Sequence, residues 1–195
     1  MAEVELPDPA HLEHRRQHTF SRRIALVTAV YAVVLAIAGL GGKYAMKEML
    51  LAQQQSSDQW AFYQAKVIRE HQYRAQKLIL EVQLAEPIGL TPAARVRLEA
   101  LAKKFGEEEK RYNTEKKDIE REAKKLEHER DLYRTRDPYF DYAEVLLQIA
   151  VVCASVAILA ESKAMFWFSL AMALAGALLT ANGFTLAVPL PLLSH

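Results

Sequence analysis

The stretch IALVTAVYAVVLAIAGLGG, Ile24 to Gly42, runs for 19 residues without a charge. As an α-helix it reaches about 28 Å, close to the ~30 Å hydrocarbon core of a bilayer. Hydrocarbon offers the backbone no hydrogen-bond partner, so a segment that crosses it must bond internally, as a helix does. Arg15, Arg16, Arg22 and Arg23 stand just before it, which also fits the basic region of a secretory signal. Signal cores run only ~7–15 apolar residues, so the segment is read as an uncleaved anchor.

A second apolar block follows near the other end. Val145–Ala160 and Ala164–Leu193 are separated only by Glu161, Ser162 and Lys163, and so read as two spans joined by a tight turn. Tyr139, Phe140 and Tyr142 before the second span, and Phe166, Trp167 and Phe168 at the start of the third, have the composition of interfacial belts. Asn182-Gly183, with Pro189 and Pro191 beyond, predicts that the third helix ends or loosens near residue 182, leaving an interfacial tail. Ionisable groups are missing from the spans, which argues against a coupled pump.

Between the spans the character reverses. Residues 45–143 hold 19 Lys+Arg and 18 Asp+Glu. So even a balance makes no basic patch, and nucleic acid is not expected as a partner. Helix breakers are scarce. Ala85–Arg95 contains Pro87, Gly89 and then Thr91-Pro92, an N-cap with proline in the first helical position. Asp137-Pro138 reads as a second stop and restart. The fold class expected is therefore an all-α membrane protein: a basic tail (1–23), transmembrane helix 1 (24–42), an extramembrane antiparallel helical, coiled-coil-like hairpin (43–136, arms 43–85 and 92–136), and transmembrane helices 2 and 3 with the tail (137–195).

The second arm carries Leu98, Phe105, Tyr112, Ile119, Leu126 and Tyr133 at every seventh residue, a coiled-coil period. The neighbouring seam positions are read as Leu101, Glu108, Glu115, Glu122 and Glu129, which leaves a narrow apolar stripe. In the first arm Trp60, Tyr63, Val67, Leu78 and Val82 are placed on one stripe, with Phe62 well off it and Ile68 beside it. Ser56–Gln59 reads as a capping box and a local restart. The matched arms put the partner of Trp60 near Ile119. Trp60, Phe62, Tyr63, Val67, Phe105, Tyr112 and Ile119 are the expected inter-helix contacts; a ligand box and a membrane-edge belt are the competing readings of the aromatics.

The segment SDQWAFYQAK, Ser57 to Lys66, placed after an N-terminal span and before a charged helix and a terminal apolar pair, resembles a family of bacterial membrane proteins catalogued as a domain of unknown function. Its signature is Asn/Ser-Asp-Gln-Trp-Ala-Tyr-Tyr-Gln-Ala-Lys; Phe62 stands here where Tyr is common. The resemblance implies a bacterial membrane protein and supplies no activity or site.

The sequence has no phosphate loop, nucleophile elbow or H-E-x-x-H pair, and Cys153 sits in an apolar run. No catalytic, cofactor or metal site is expected, and the chain is not read as an enzyme. His11, His14 and His18 would share a helix face, either as a metal site or, more simply, within a basic stretch on lipid headgroups. Ala25, Ala29, Ala32, Ala36 and Gly39 form a small-residue face suited to close helix packing in the membrane, though alanine is also common in such spans. Arginines beside span 1 and Lys163 in the turn place the N-terminus in the cytoplasm and the hairpin outside it, in a bacterial inner membrane. The expected function is a scaffold or interaction protein, with the bilayer, further copies of itself and a protein at the hairpin as partners; an oligomeric channel is the alternative.

Overall fold

The computed structural model describes residues 9–86 and 89–189, with side chains from residue 20 onward. It is built from three helices, α1 (Pro9–Ala85), α2 (Pro92–Leu159) and α3 (Lys163–Thr185), with no strand among the described residues. Each contains a stretch long and apolar enough to cross a membrane.

The breaks fall where backbone chemistry demands them. Gly89 takes φ +80°, a conformation that favours glycine. Thr91 then accepts from Ala94 N at 3.2 Å, and α2 begins at Pro92. At the second turn, Ser162 accepts from Met165 N at 3.4 Å and caps α3. Helix α3 runs to Thr185, three residues beyond Asn182, and ends where Leu186 enters the left-handed region. The Asn182 amide then brackets Val188, donating to its carbonyl at 2.8 Å and accepting from its N–H at 2.9 Å. Asn182 thus fastens the chain after the helix instead of ending it. Pro191 and the end of the interfacial tail, and Pro87, lie outside the described residues.

Two expected breaks are not there. Helix α2 passes through Pro138 without stopping. Proline removes one helical N–H, but the side chains that follow it, Tyr139 and Phe140, are among the most buried of the chain. Ending the helix would withdraw both. Likewise Ser56 does not cap a restart: α1 is continuous there, and Ser56 is buried on its inner face.

The chain divides into two compact units, Met1–Glu48 with Leu132–His195, and Met49–Asp131. In the first, Ile24, Tyr31 and Ala38 of α1, Ala143, Leu147, Ala150, Ala154 and Ala157 of α2, and Ala173 of α3 form one core. Alanine at most contact positions lets backbones approach closely, which is how helices gain packing in hydrocarbon. The larger groups sit over glycine. A Cβ on Gly41 would lie 2.5 Å from the Phe140 ring, one on Gly183 3.0 Å from it, and one on Gly176 2.7 Å from Leu147. Phe184 closes the Phe140 site edge-on at 4.9 Å. Tyr139 and Phe140 are therefore core residues and not a belt; of that trio only Tyr142 is exposed.

Candidate interaction surface

In the second unit, contacts between α1 and α2 pair rising numbers with falling ones. Trp60 Nε1 donates to Glu127 Oε1 at 2.9 Å, Lys66 Nζ to Glu115 Oε2 at 2.6 Å, and Asn113 Nδ2 to Glu70 Oε1 at 2.9 Å. Further along, Lys77 Nζ lies 3.5 Å from Glu109 Oε2. The contacting segments are antiparallel.

Buried and half-buried positions of α1 in this unit include the row Ala52, Ser56, Gln59, Tyr63, Lys66, Glu70, Tyr73, Lys77, Leu80 and Leu84, with Met49, Trp60 and Val67 beside it. On α2 the buried set adds Ala102, Ala123 and Leu126 to Phe105, Tyr112 and Ile119. The row on α1 runs at spacings of three and four, and the one on α2 at three, four and seven. Two sequence expectations are corrected here. The seven-residue row on α2 has companions four residues on from it, at Ala102, Glu109, Lys116, Ala123 and Arg130. Of the expected Leu101, Glu108, Glu115, Glu122 and Glu129, Glu108 and Glu115 are half-buried and Glu115 meets Lys66, while Leu101, Glu122 and Glu129 are exposed. Leu101 is exposed while Ala102 is buried. On α1, Leu78 and Val82 leave the stripe and are exposed, because the buried row keeps a seven-residue period and reaches Leu80 instead.

Trp60 is half-buried, edge-on to Tyr63 with ring centroids 5.4 Å apart. Its hydrogen bond reaches Glu127, two turns beyond Ile119; α2 runs on through Pro138, so a count back from Arg136 misses the register. Val67 and Ile119 are half-buried, and Phe62 is exposed with Lys66 Nζ 5.0 Å over its ring. Phe105 and Tyr112 both meet Tyr73, at 5.7 Å and 5.6 Å between centroids, Tyr112 stacked nearly flat. Tyr73 was missed in the sequence; its seven-residue spacing from Lys66 and Leu80 was the available signal.

The centre of the unit is polar. Glu70 is buried, held by Asn113 and by Lys116 Nζ at 2.5 Å. Burial pushes the Glu70 carboxyl up, but the hydrogen bonds from Lys116 and Asn113 outweigh it and hold it below the ordinary carboxylate range. The Lys66 hydrogen bond likewise lowers Glu115. Arg69 and Arg111 both donate to the Tyr112 hydroxyl, at 3.4 Å and 3.1 Å, and lower its pKa.

In the first unit Ala25, Ala29, Ala32 and Ala36 are exposed, and the α1 face turned inward is the one bearing Ile24, Tyr31 and Ala38. Gly39 is half-buried beside the Glu144 carboxylate. The side chains of His11, His14 and His18 lie outside the described residues; among those described, no group of three or more His, Cys, Asp or Glu is placed to hold a metal.

These features define an all-helical chain with three helices apolar enough to cross a membrane and a second unit whose paired helices are held by ion pairs and aromatic contacts. The chain belongs to the family described as Domain of unknown function (DUF4337), whose model matches residues 20–186. No curated protein and no solved structure matches it.

Proposed function

We propose that this is a membrane-anchored structural and interaction protein, in which three spans carry an antiparallel, coiled-coil-like helical hairpin and copies of the chain assemble into a scaffold. The observation that carries this is the polar seam of the second unit. From Trp60–Glu127 to Lys77–Glu109 its cross-helix polar groups answer one another. Such a seam fixes a register and stiffens two helices, as a scaffold requires. The exposed alanine face of α1 supports assembly within the bilayer. The positive charges beside span 1 and in the turn support a cytoplasmic N-terminus and an extracytoplasmic hairpin in a bacterial inner membrane.

The test is native mass and melting temperature of detergent-extracted wild type and Trp60→Ala. The wild type should run as a multiple of the chain mass. Trp60→Ala should lower the melting temperature, by about 2 kcal/mol of stability for a half-buried ring against the ~3–5 of a fully buried one. A monomeric wild type rejects the scaffold. Imaging that shows a continuous water-filled lumen through the assembly turns the reading to a channel.

A further inference from the structure

Helix α1 has a second seven-residue row in the extramembrane unit, on the face away from α2. Ile68, Ala75 and Val82 recur at seven, with Ala65, Gln72 and Ile79 between them, and all six are exposed. Ile68, Ile79 and Val82 each leave more than half their surface open. The row holds no charge, in a chain that is 25% charged. The outer face of α2 is built differently: Lys110, Lys117, Arg121 and Lys124 are all exposed there. A solvated helix face has no need of isoleucine and valine at a strict heptad spacing.

We propose that this outer row of α1 is a docking surface for the same row of a second copy of the chain, paired parallel and in register. The proposal rests on the membrane-anchored, self-assembling reading above and names the surface it uses outside the bilayer. Copies inserted in one membrane in one orientation present α1 to α1 in parallel, so like positions meet. Every position of the row tolerates meeting itself: Ile68 against Ile68, Ala75 against Ala75, Ile79 against Ile79. Gln72, at the middle, both donates and accepts, so two copies hydrogen-bond each other; a single polar residue in an apolar seam fixes register in this way. The flanks agree. Phe62 and Leu78 are exposed on either side of the row and widen it, and Arg69 lies a heptad-flank away from Gln64, not from another cation. The row extended by Ala61 covers three heptads, about 31 Å of helix, the run over which such a pattern first reads as a helix–helix seam. Against the outer face of α2, the same row would bury Lys110, Lys117 and the Arg121–Asp118 and Lys124–Glu120 pairs against apolar side chains that offer them nothing in place of water, which makes the self-pairing the charge-compatible one.

The experiment is disulfide cross-linking of the full-length chain in its membrane, in a Cys153→Ala background, with single cysteines at Ile68→Cys, Ala75→Cys and, on the outer face of α2, Lys117→Cys. Native mass of the same preparations is measured alongside. The expected result is an assembled protein in which the Ile68 and Ala75 variants form covalent dimers and the Lys117 variant does not. Adding Gln72→Asp to the Ile68 variant should reduce its dimer by about tenfold or more, because like charges then face each other across the contact. Assembly by native mass with no cross-link above the Lys117 level overturns the docking surface and leaves the scaffold standing. A monomer without cross-links overturns both. A mass that is not a multiple of the chain, with no cross-link, shows another molecule on this face and also overturns the proposal.

Discussion

Lys116→Ala is the sharpest probe of the polar seam. The substitution removes the cation that sits 2.5 Å from Glu70 and leaves the carboxylate in a site where 7% of its side chain is exposed. Breaking one side of a fully buried pair costs about 3–5 kcal/mol, because the remaining charge has lost its compensation. Asn113 still donates to Glu70 at 2.9 Å, and Lys116 itself is 18% exposed, so the lower end applies, about 3 kcal/mol. Replacing both partners by leucine removes the charge as well as its partner and should be near neutral or stabilising. The assay is hydrogen exchange of the full-length chain in detergent, read over residues 60–80. A loss of about 3 kcal/mol lowers amide protection there by roughly 100-fold, at ~1.4 kcal/mol per decade. The Glu70→Leu/Lys116→Leu double variant should return protection to near the wild-type level. If Lys116→Ala leaves protection unchanged, or the double variant is as damaged as the single one, the seam does not hold the unit together as argued.

Acid should act on the same seam. Glu70 and Glu115 both titrate below the ordinary carboxylate range in the folded chain, so their contribution is complete above that range and is lost as pH falls through it and below. Amide protection over residues 60–80, taken relative to the intrinsic exchange rate at each pH, should therefore fall on acidification below the normal carboxylate pKa and stay level between neutral pH and that point; a loss of protection toward alkaline pH instead would contradict the assignment. Tyr31→Phe should raise the melting temperature. The Tyr31 hydroxyl is buried in the first unit with no partner, and an unsatisfied buried polar group costs about 1–3 kcal/mol; a fall in melting temperature would mean the hydroxyl is engaged. Gly41→Ala should lower it by about 1–3 kcal/mol of stability, as overpacking does, since its methyl would meet the Phe140 ring. Adding Phe140→Leu should recover part of that loss.

The stretches long and apolar enough to cross a membrane were legible because hydrocarbon asks for length and absence of charge, both local properties. The cap at Thr91 and the turn at Ser162 were legible for the same reason: each is the chemistry of a few neighbouring residues. The interior of the second unit was only half visible. Phe105, Tyr112 and Ile119 stand out in a charged arm, but Glu109 and Lys116, which face inward beside them, look like surface residues until Lys77 and Glu70 are placed opposite. In α1 the mismatch is sharper. Lys66, Glu70 and Lys77 take the inner face while Ile68, Ile79 and Val82 take the outer one, so hydropathy alone draws the stripe on the wrong side beyond Val67. Tyr139 and Phe140 misled for a related reason. Aromatics near a span edge have the composition of an interfacial belt, and the glycines that make room for Phe140 lie about a hundred residues earlier and about forty later.

That last arrangement bears on how the chain is made. Gly41 and Gly42 emerge from the ribosome first, Phe140 much later, and Gly183 last. Until the third helix has been synthesised and packed, the Phe140 ring has glycine on only one side of it. The seat is finished only by α3, so the bundle of the first unit closes no earlier than the synthesis of α3, well after α1 and the Phe140 segment of α2 have been made.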